Sequence, residues 1–210
     1  MKRKRIFHWT LLIIIAIVVS IWIHDVMIGE LPLVDKLTRA FVTAFGNTSY
    51  YRFFTWSTHF GSKSFLIPFV IVMAIVLIYM YRRVLPGVMF AFGTLFGWIF
   101  NELIKSLVQR QRPSLNPGLD AIGTSFPSGH AMISFICYGL LLYFLIVKIK
   151  SRILQTVLQI LIPIIILVIG LGRYLINVHY LTDVMAGYFF GYLFLIVWIK
   201  LYKKLSVNKR

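Results

Sequence analysis

The chain has 210 residues, 60% of them hydrophobic and 13% charged, with a mean hydropathy of +0.86. A water-soluble domain carries about twice that share of charge, so a soluble globular fold is excluded; apolar runs able to cross a ~30 Å hydrocarbon core recur along the length. Twenty-two Lys and Arg oppose six Asp and Glu, a formal +16. Most of these cations flank apolar runs, so the excess reads as membrane topology and contact with anionic headgroups, not as nucleic acid binding.

Lys2-Arg3-Lys4-Arg5 precede the first apolar stretch in the manner of a signal peptide. Bulky Ile21, Trp22 and Ile23 stand where small cleavage-site residues belong, so the segment reads as a retained first helix. Six spans are expected at about 6–24, 65–82, 85–107, 128–148, 153–173 and 179–200, making residues 1–210 one all-α, six-helix membrane unit. With the N-terminus in the cytoplasm, 14 of the 22 cations fall on the cytoplasmic side, which supports that orientation.

Residues 25–64 form the longest connection. Leu33, Val34, Leu37, Phe41, Ala44 and Phe45 make one apolar face, with Asp35, Lys36, Thr38 and Arg39 opposite, and Pro32 suits the first turn. Tyr50, Tyr51, Phe53, Phe54 and Trp56 supply an aromatic cluster of the kind found at bilayer interfaces. One or two short helices in the outer headgroup layer are expected, either as an anchor or as a lid over the site. Gly93 and Gly97, then Gly187 and Gly191, permit close helix approach, inside the bundle or at a dimer face. Pro163 is expected to kink the fifth span, and Cys137, alone in an apolar run, reads as a small core residue. Nothing in the sequence indicates an oligomeric state.

Three polar signatures interrupt this apolar chain, and all fall on the outer face. Pro127-Ser128-Gly129-His130 stands immediately before an apolar run. A helix starting there points free amides and its positive dipole end outward; Gly129 leaves room for an anion and the Ser128 hydroxyl can donate to it. In Arg173-x5-His179-x3-Asp183, His179 and Asp183 share a helix face one turn apart, so Asp183 can fix the tautomer and free the other ring nitrogen as a nucleophile. Arg173 lies about 240° from His179 on an ideal helix, so the segment between them must bend if both serve one site. In Lys105-x6-Arg112-Pro113, the proline ends the third helix before Arg112, which can grip phosphate oxygens beside the Lys105 charge. Asn101 and Glu102 support the site, Glu102 as an i, i+3 partner for Lys105.

The combination resembles the type 2 phosphatidic acid phosphatase superfamily of integral membrane lipid phosphatases, whose pattern is Lys-x6-Arg-Pro, Pro-Ser-Gly-His and Ser-Arg-x5-His-x3-Asp. One position departs: Gly172 stands where the family has serine, which removes a hydroxyl but no charge or imidazole. The resemblance implies that His179 is the nucleophile, oriented by Asp183, and that His130 protonates the leaving oxygen. It also implies that Lys105, Arg112, Ser128, Gly129 and Arg173 bind phosphate. No cofactor and no metal are implied, and the residues agree, since a two-metal site needs clustered carboxylates. The partner is a membrane lipid phosphate at the outer leaflet. Undecaprenyl pyrophosphate is the expected substrate, with phosphatidylglycerol phosphate, phosphatidic acid and diacylglycerol pyrophosphate as alternatives. Phosphotransfer to another hydroxyl would use the same groups, whereas an anion-binding transporter or scaffold would leave both histidines idle.

Overall fold

A computed structural model describes residues 2–45, 49–113 and 122–207. Nothing is assigned to the side chains of Ala44 and Phe45 on the expected apolar face, and Lys209 and Arg210 of the cytoplasmic count lie outside the described residues. The helices, in chain order, are α1 (Lys2–Met27), α2 (Leu33–Phe45), α3 (Ser49–Thr58), α4 (Lys63–Tyr81), α5 (Val84–Val108), α6 (Gly129–Lys148), α7 (Arg152–Leu175) and α8 (Leu181–Val207), with a 3-10 turn at His59–Gly61. Six of them (α1 and α4 to α8) are long and apolar enough to cross a bilayer. The chain is an all-α, multi-pass membrane protein with two short helices in its first long connection.

Helix α6 is the hub, packing against α4, α5, α7 and α8. Met132, Ile136, Cys137, Leu140 and Phe144 are wholly buried on it. The four glycines singled out above face neighbours within the bundle. A Cβ on Gly97 would come within 2.6 Å of Ile136, and one on Gly187 within 2.9 Å of the Ser128 carbonyl. They bring α5 and α8 against α6. Pro163 lies inside α7, which runs without a break from Arg152 to Leu175.

The amphipathic stripe of α2 is present, but part of its polar side, Asp35 and half-buried Thr38, faces the protein, while Lys36 and Arg39 stay exposed. Leu33, Leu37 and Phe41 point outward, whereas Asp35 is buried. That is the posture of a helix lying in the headgroup layer with its apolar face in lipid. On α3, Tyr50, Phe53 and Trp56 are likewise exposed, while its inner side packs on α7. Gly172 makes this contact possible: a Cβ there would stand 2.7 Å from the Thr58 methyl. The hydroxyl that the family serine would carry is thus replaced by the close approach of α3.

Candidate active site

The polar signatures converge where α4 and the chain before it, α5, α6, and the α7–α8 loop meet. Helix α5 ends because Gln109 adopts φ 49°, a left-handed conformation, and its N–H caps the Lys105 carbonyl at 3.0 Å. Arg110 to Pro113 then leave the helix, so Lys105 stays on α5 while Arg112 swings across to the α7–α8 loop. Helix α6 begins with Ser128 as its cap, the hydroxyl accepting from the Ala131 N–H at 3.4 Å. Pro127 therefore lies just before the helix. By helix geometry the Gly129 and His130 amides have no acceptor within α6. The bend required between Arg173 and His179 comes from Asn177 at φ 59°, with the Arg173 carbonyl accepting from both the Val178 and the His179 N–H at 3.2 Å.

His179 thus sits just before α8, and Asp183 in its first turn, where a negative charge complements the helix dipole. One carboxylate oxygen of Asp183, Oδ2, accepts from the Tyr180 N–H at 2.9 Å and the Ser125 hydroxyl, and lies 3.3 Å from His179 Nδ1. The Nε2 of His179 is 2.9 Å from Arg112 Nη1, a cationic donor. Nε2 must then hold the lone pair, which accepts from Arg112, and Nδ1 the proton, the tautomer in which Asp183 orients the ring. His179 is almost fully buried. Burial pushes its pKa down to about 3, Arg112 and Arg173 push in the same direction, and the hydrogen bond and charge of Asp183 oppose them. The ring is a neutral base at any ordinary pH.

A cavity of about 710 Å³ opens in front of these groups. His130 and His179 line it together, with Lys105, Arg112, Gly129, Asn101, Glu102 and Lys63. Lys105 holds Glu102 at 3.7 Å, the i, i+3 pair read from the sequence. Arg112 donates to the carbonyls of Gly123 (3.1 Å) and Val178 (2.9 Å), so its guanidinium is fixed at the rim. Asn101 is buried with Oδ1 lacking a hydrogen-bond partner among the described residues, and a Cβ on Gly129 would stand 3.1 Å from that oxygen. Arg173 is buried at the end of α7 and acts electrostatically on both imidazoles, though its side chain does not line the cavity. Ser128 does not line it either; its hydroxyl serves the helix start.

Four participants were not singled out from the sequence. Ser125 hydrogen-bonds to the Asp183 carboxylate. Arg110 and Asp35 form a buried ion pair that reaches the same carboxylate. Gly61 lets His130 take its place, since a Cβ there would stand 2.9 Å from Ser134 Oγ and 3.1 Å from the His130 ring.

Embedded helices around a cavity with two imidazoles, an orienting carboxylate and three lining cations define a membrane phosphoryl-transfer enzyme. The PAP2 superfamily model matches residues 86–206. Phosphatidylglycerophosphatase B of Bacillus subtilis (strain 168) is 32% identical over 143 residues, covering 66% of this chain and 68% of that protein. A crystal structure described as the first transmembrane PAP2 type phosphatidylglycerolphosphate phosphatase from Bacillus subtilis superposes with a TM-score of 0.77. It is 22% identical, with 90% of this chain and 96% of that one covered, which is a likeness of fold. The chain belongs to the PAP2 superfamily. It is a phosphoric-ester hydrolase acting on membrane lipids.

Proposed function

We propose that the enzyme dephosphorylates a glycerophospholipid phosphate, phosphatidylglycerol phosphate first among them, at the outer leaflet and without a metal. The observation that carries this reading is the single cavity shared by His130, His179, Lys105 and Arg112. His179 Nε2 attacks phosphorus, the bond from phosphorus to the lipid oxygen breaks, and His130 gives that oxygen its proton. Water then attacks the phosphohistidine, His130 takes up the water's proton, and His179 is released with inorganic phosphate. Lys105 and Arg112, with the Gly129 amide, meet the developing charge on the equatorial oxygens, while Arg173 adds its positive field from behind the cavity wall and Ser128 caps the helix that presents the amide. The outward orientation rests on the cation count along the sequence.

The sequence alone placed undecaprenyl pyrophosphate first. The relative named for phosphatidylglycerophosphate moves the glycerophospholipid ahead. Pyrophosphate keeps one argument: Lys63 also lines the cavity and offers a cation to a second phosphate. The test is phosphate release by the purified chain in detergent micelles, with EDTA present, from phosphatidylglycerol phosphate, phosphatidic acid, diacylglycerol pyrophosphate and undecaprenyl pyrophosphate. The highest kcat/KM on phosphatidylglycerol phosphate supports the reading, and the highest on undecaprenyl pyrophosphate replaces it with the second. Label appearing on another lipid would make the enzyme a phosphotransferase, and loss of turnover with EDTA would overturn metal independence.

A further inference from the structure

The buried groups behind the catalytic dyad are organised around Arg110, one of the unspecified positions between Lys105 and Arg112. Its Nη1 donates to Asp183 Oδ1 at 2.6 Å and to Thr182 Oγ1 at 2.9 Å; its Nη2 donates to Asp35 Oδ2 at 2.7 Å. Asp35 also accepts from the Thr182 N–H at 3.1 Å and from the Thr182 hydroxyl at 2.6 Å. The guanidinium lies 3.8 Å over the ring of Tyr180. The side chains of Arg110, Asp35 and Asp183 are 5%, 0% and 0% exposed. Neither Arg110 nor Asp35 lines the catalytic cavity.

We propose that Arg110 and Asp35 are positioning residues: a carboxylate–guanidinium–carboxylate bridge from α2 holds Asp183, and through it His179, in the attacking geometry. This rests on the reading of His179 as the nucleophile. Stability alone does not account for where the contacts fall. They land on Tyr180, Thr182 and Asp183, within four residues of His179 on its C-terminal side. Arg110 also takes one carboxylate oxygen of Asp183 and leaves the other facing Nδ1, so the carboxyl plane cannot turn. The bridge ends on the helix whose outer face, Leu33, Leu37 and Phe41, is apolar and exposed. A helix seated in the headgroup layer is therefore tied to the dyad, and α2 is pinned to the site by charge.

The experiment compares Arg110→Met, Arg110→Lys, Asp35→Asn and Asp183→Asn, singly and with Arg110→Met combined with Asp183→Asn, in the full chain in detergent micelles. Displacing a reacting group by an ångström can cost about 100-fold, so Arg110→Met should lower kcat by about that factor with KM within about twofold. Arg110→Lys keeps the charge but cannot span two carboxylates, and should recover only part of the loss. Asp35→Asn, nearly isosteric, should lower kcat about tenfold. If Arg110 acts through Asp183, adding Arg110→Met to Asp183→Asn should cost less than about twofold more. Fully multiplicative losses, or a raised KM with unchanged kcat, overturn the proposal. Should Arg110→Met not fold, Asp35→Asn decides: full kcat with wild-type circular dichroism overturns it. An unchanged kcat in Asp183→Asn would overturn the orienting role of Asp183, and the bridge's catalytic role with it, whereas phosphoenzyme retained in His179→Ala would overturn the nucleophile reading itself.

Discussion

Each end of the core formed by α4, α5, α6 and α8 has a cavity and cations, yet only one end is equipped for chemistry. The cavity away from the active site is the larger, about 1010 Å³ against about 710 Å³. It is lined by Tyr81, Arg83, Lys148, Tyr202 and Ser206, among others, with no imidazole and no carboxylate. Arg83 and Lys148 are exposed there, and the Lys148 ammonium rests 4.7 Å over the Tyr81 ring. At the active-site end, Arg112 is held by carbonyls and Lys105 by Glu102, while Asp183 is satisfied by Arg110, Ser125 and the Tyr180 amide. Volume and positive charge are thus common property of a membrane protein's two faces. What separates the site is a buried His179–Asp183 pair aimed by its partners, beside cations that carbonyls and Glu102 hold in place.

Removing the aimed imidazole should break this contrast most severely. His179→Ala is expected to lower kcat by at least about 10³-fold and to abolish the acid-labile phosphoenzyme seen after acid quench with labelled substrate. Retained phosphoenzyme would put the nucleophile elsewhere. Burial of the same ring also has a cost that pH exposes. The unfolded chain binds a proton at His179 near pH 6.5, whereas the folded chain refuses it until about 3. Stability from this residue is therefore complete above pH 6.5 and is lost as pH falls toward 3, by up to about 1.4 kcal/mol per pH unit. Thermal unfolding in detergent across that window should show a shallower fall for His179→Gln than for the wild type. Equal slopes would mean that the imidazole is not held neutral by the fold.

The three polar signatures are legible because each depends on local spacing. A helix start needs Ser128-Gly129-His130 together, and His179 with Asp183 needs one helical turn. The bridge behind them was not legible, because its members meet only across the fold. Asp35 was read as part of a polar face directed away from the apolar stripe; periodicity separates two faces but does not say which one meets the protein. Arg110 was hidden among the unspecified residues of Lys105-x6-Arg112. One signal was available: with six carboxylates in a chain of net +16, a carboxylate is scarce enough that Asp35 warranted a search for its cation. Ser128 shows the converse, a motif residue whose hydroxyl is taken by the helix cap. Gly61 carries no motif, and only the packing of His130 reveals it.

Gly61 gives the next test in size. A Cβ there meets Ile169 at 2.6 Å, Ser134 at 2.9 Å and the His130 ring at 3.1 Å, so Gly61→Ala must displace at least one of them. Ile169 and Ser134 are buried in the bundle and both would stand under 3.0 Å, so the chain at residue 61 must itself shift, and the His130 ring packed against it at the cavity edge shifts with it. Misplacing a general acid forfeits part of the roughly 10²–10⁴-fold that such a group supplies, so kcat should fall about tenfold with KM little changed. Unchanged kcat would mean that His130 need not stand where it does. A matched fall in both kcat and thermal stability would point to the packing of Ile169 instead.

The smallest effect should come from the cations of the larger cavity. Among the described residues Lys148 and Arg83 contact no buried carboxylate, and an exposed cation over a tyrosine ring contributes only about 0.5–1 kcal/mol. Lys148→Met and Arg83→Met are therefore expected to leave kcat and KM within about twofold of the wild type, and to change thermal stability by no more than such a contact. Steady-state phosphate release with a short-chain lipid phosphate in mixed micelles isolates this from any effect on substrate delivery. A tenfold loss in either variant would show that charge at the far end reaches the dyad through the shared helices. The contrast between an aimed and an unaimed set of cations would then no longer explain why one end reacts.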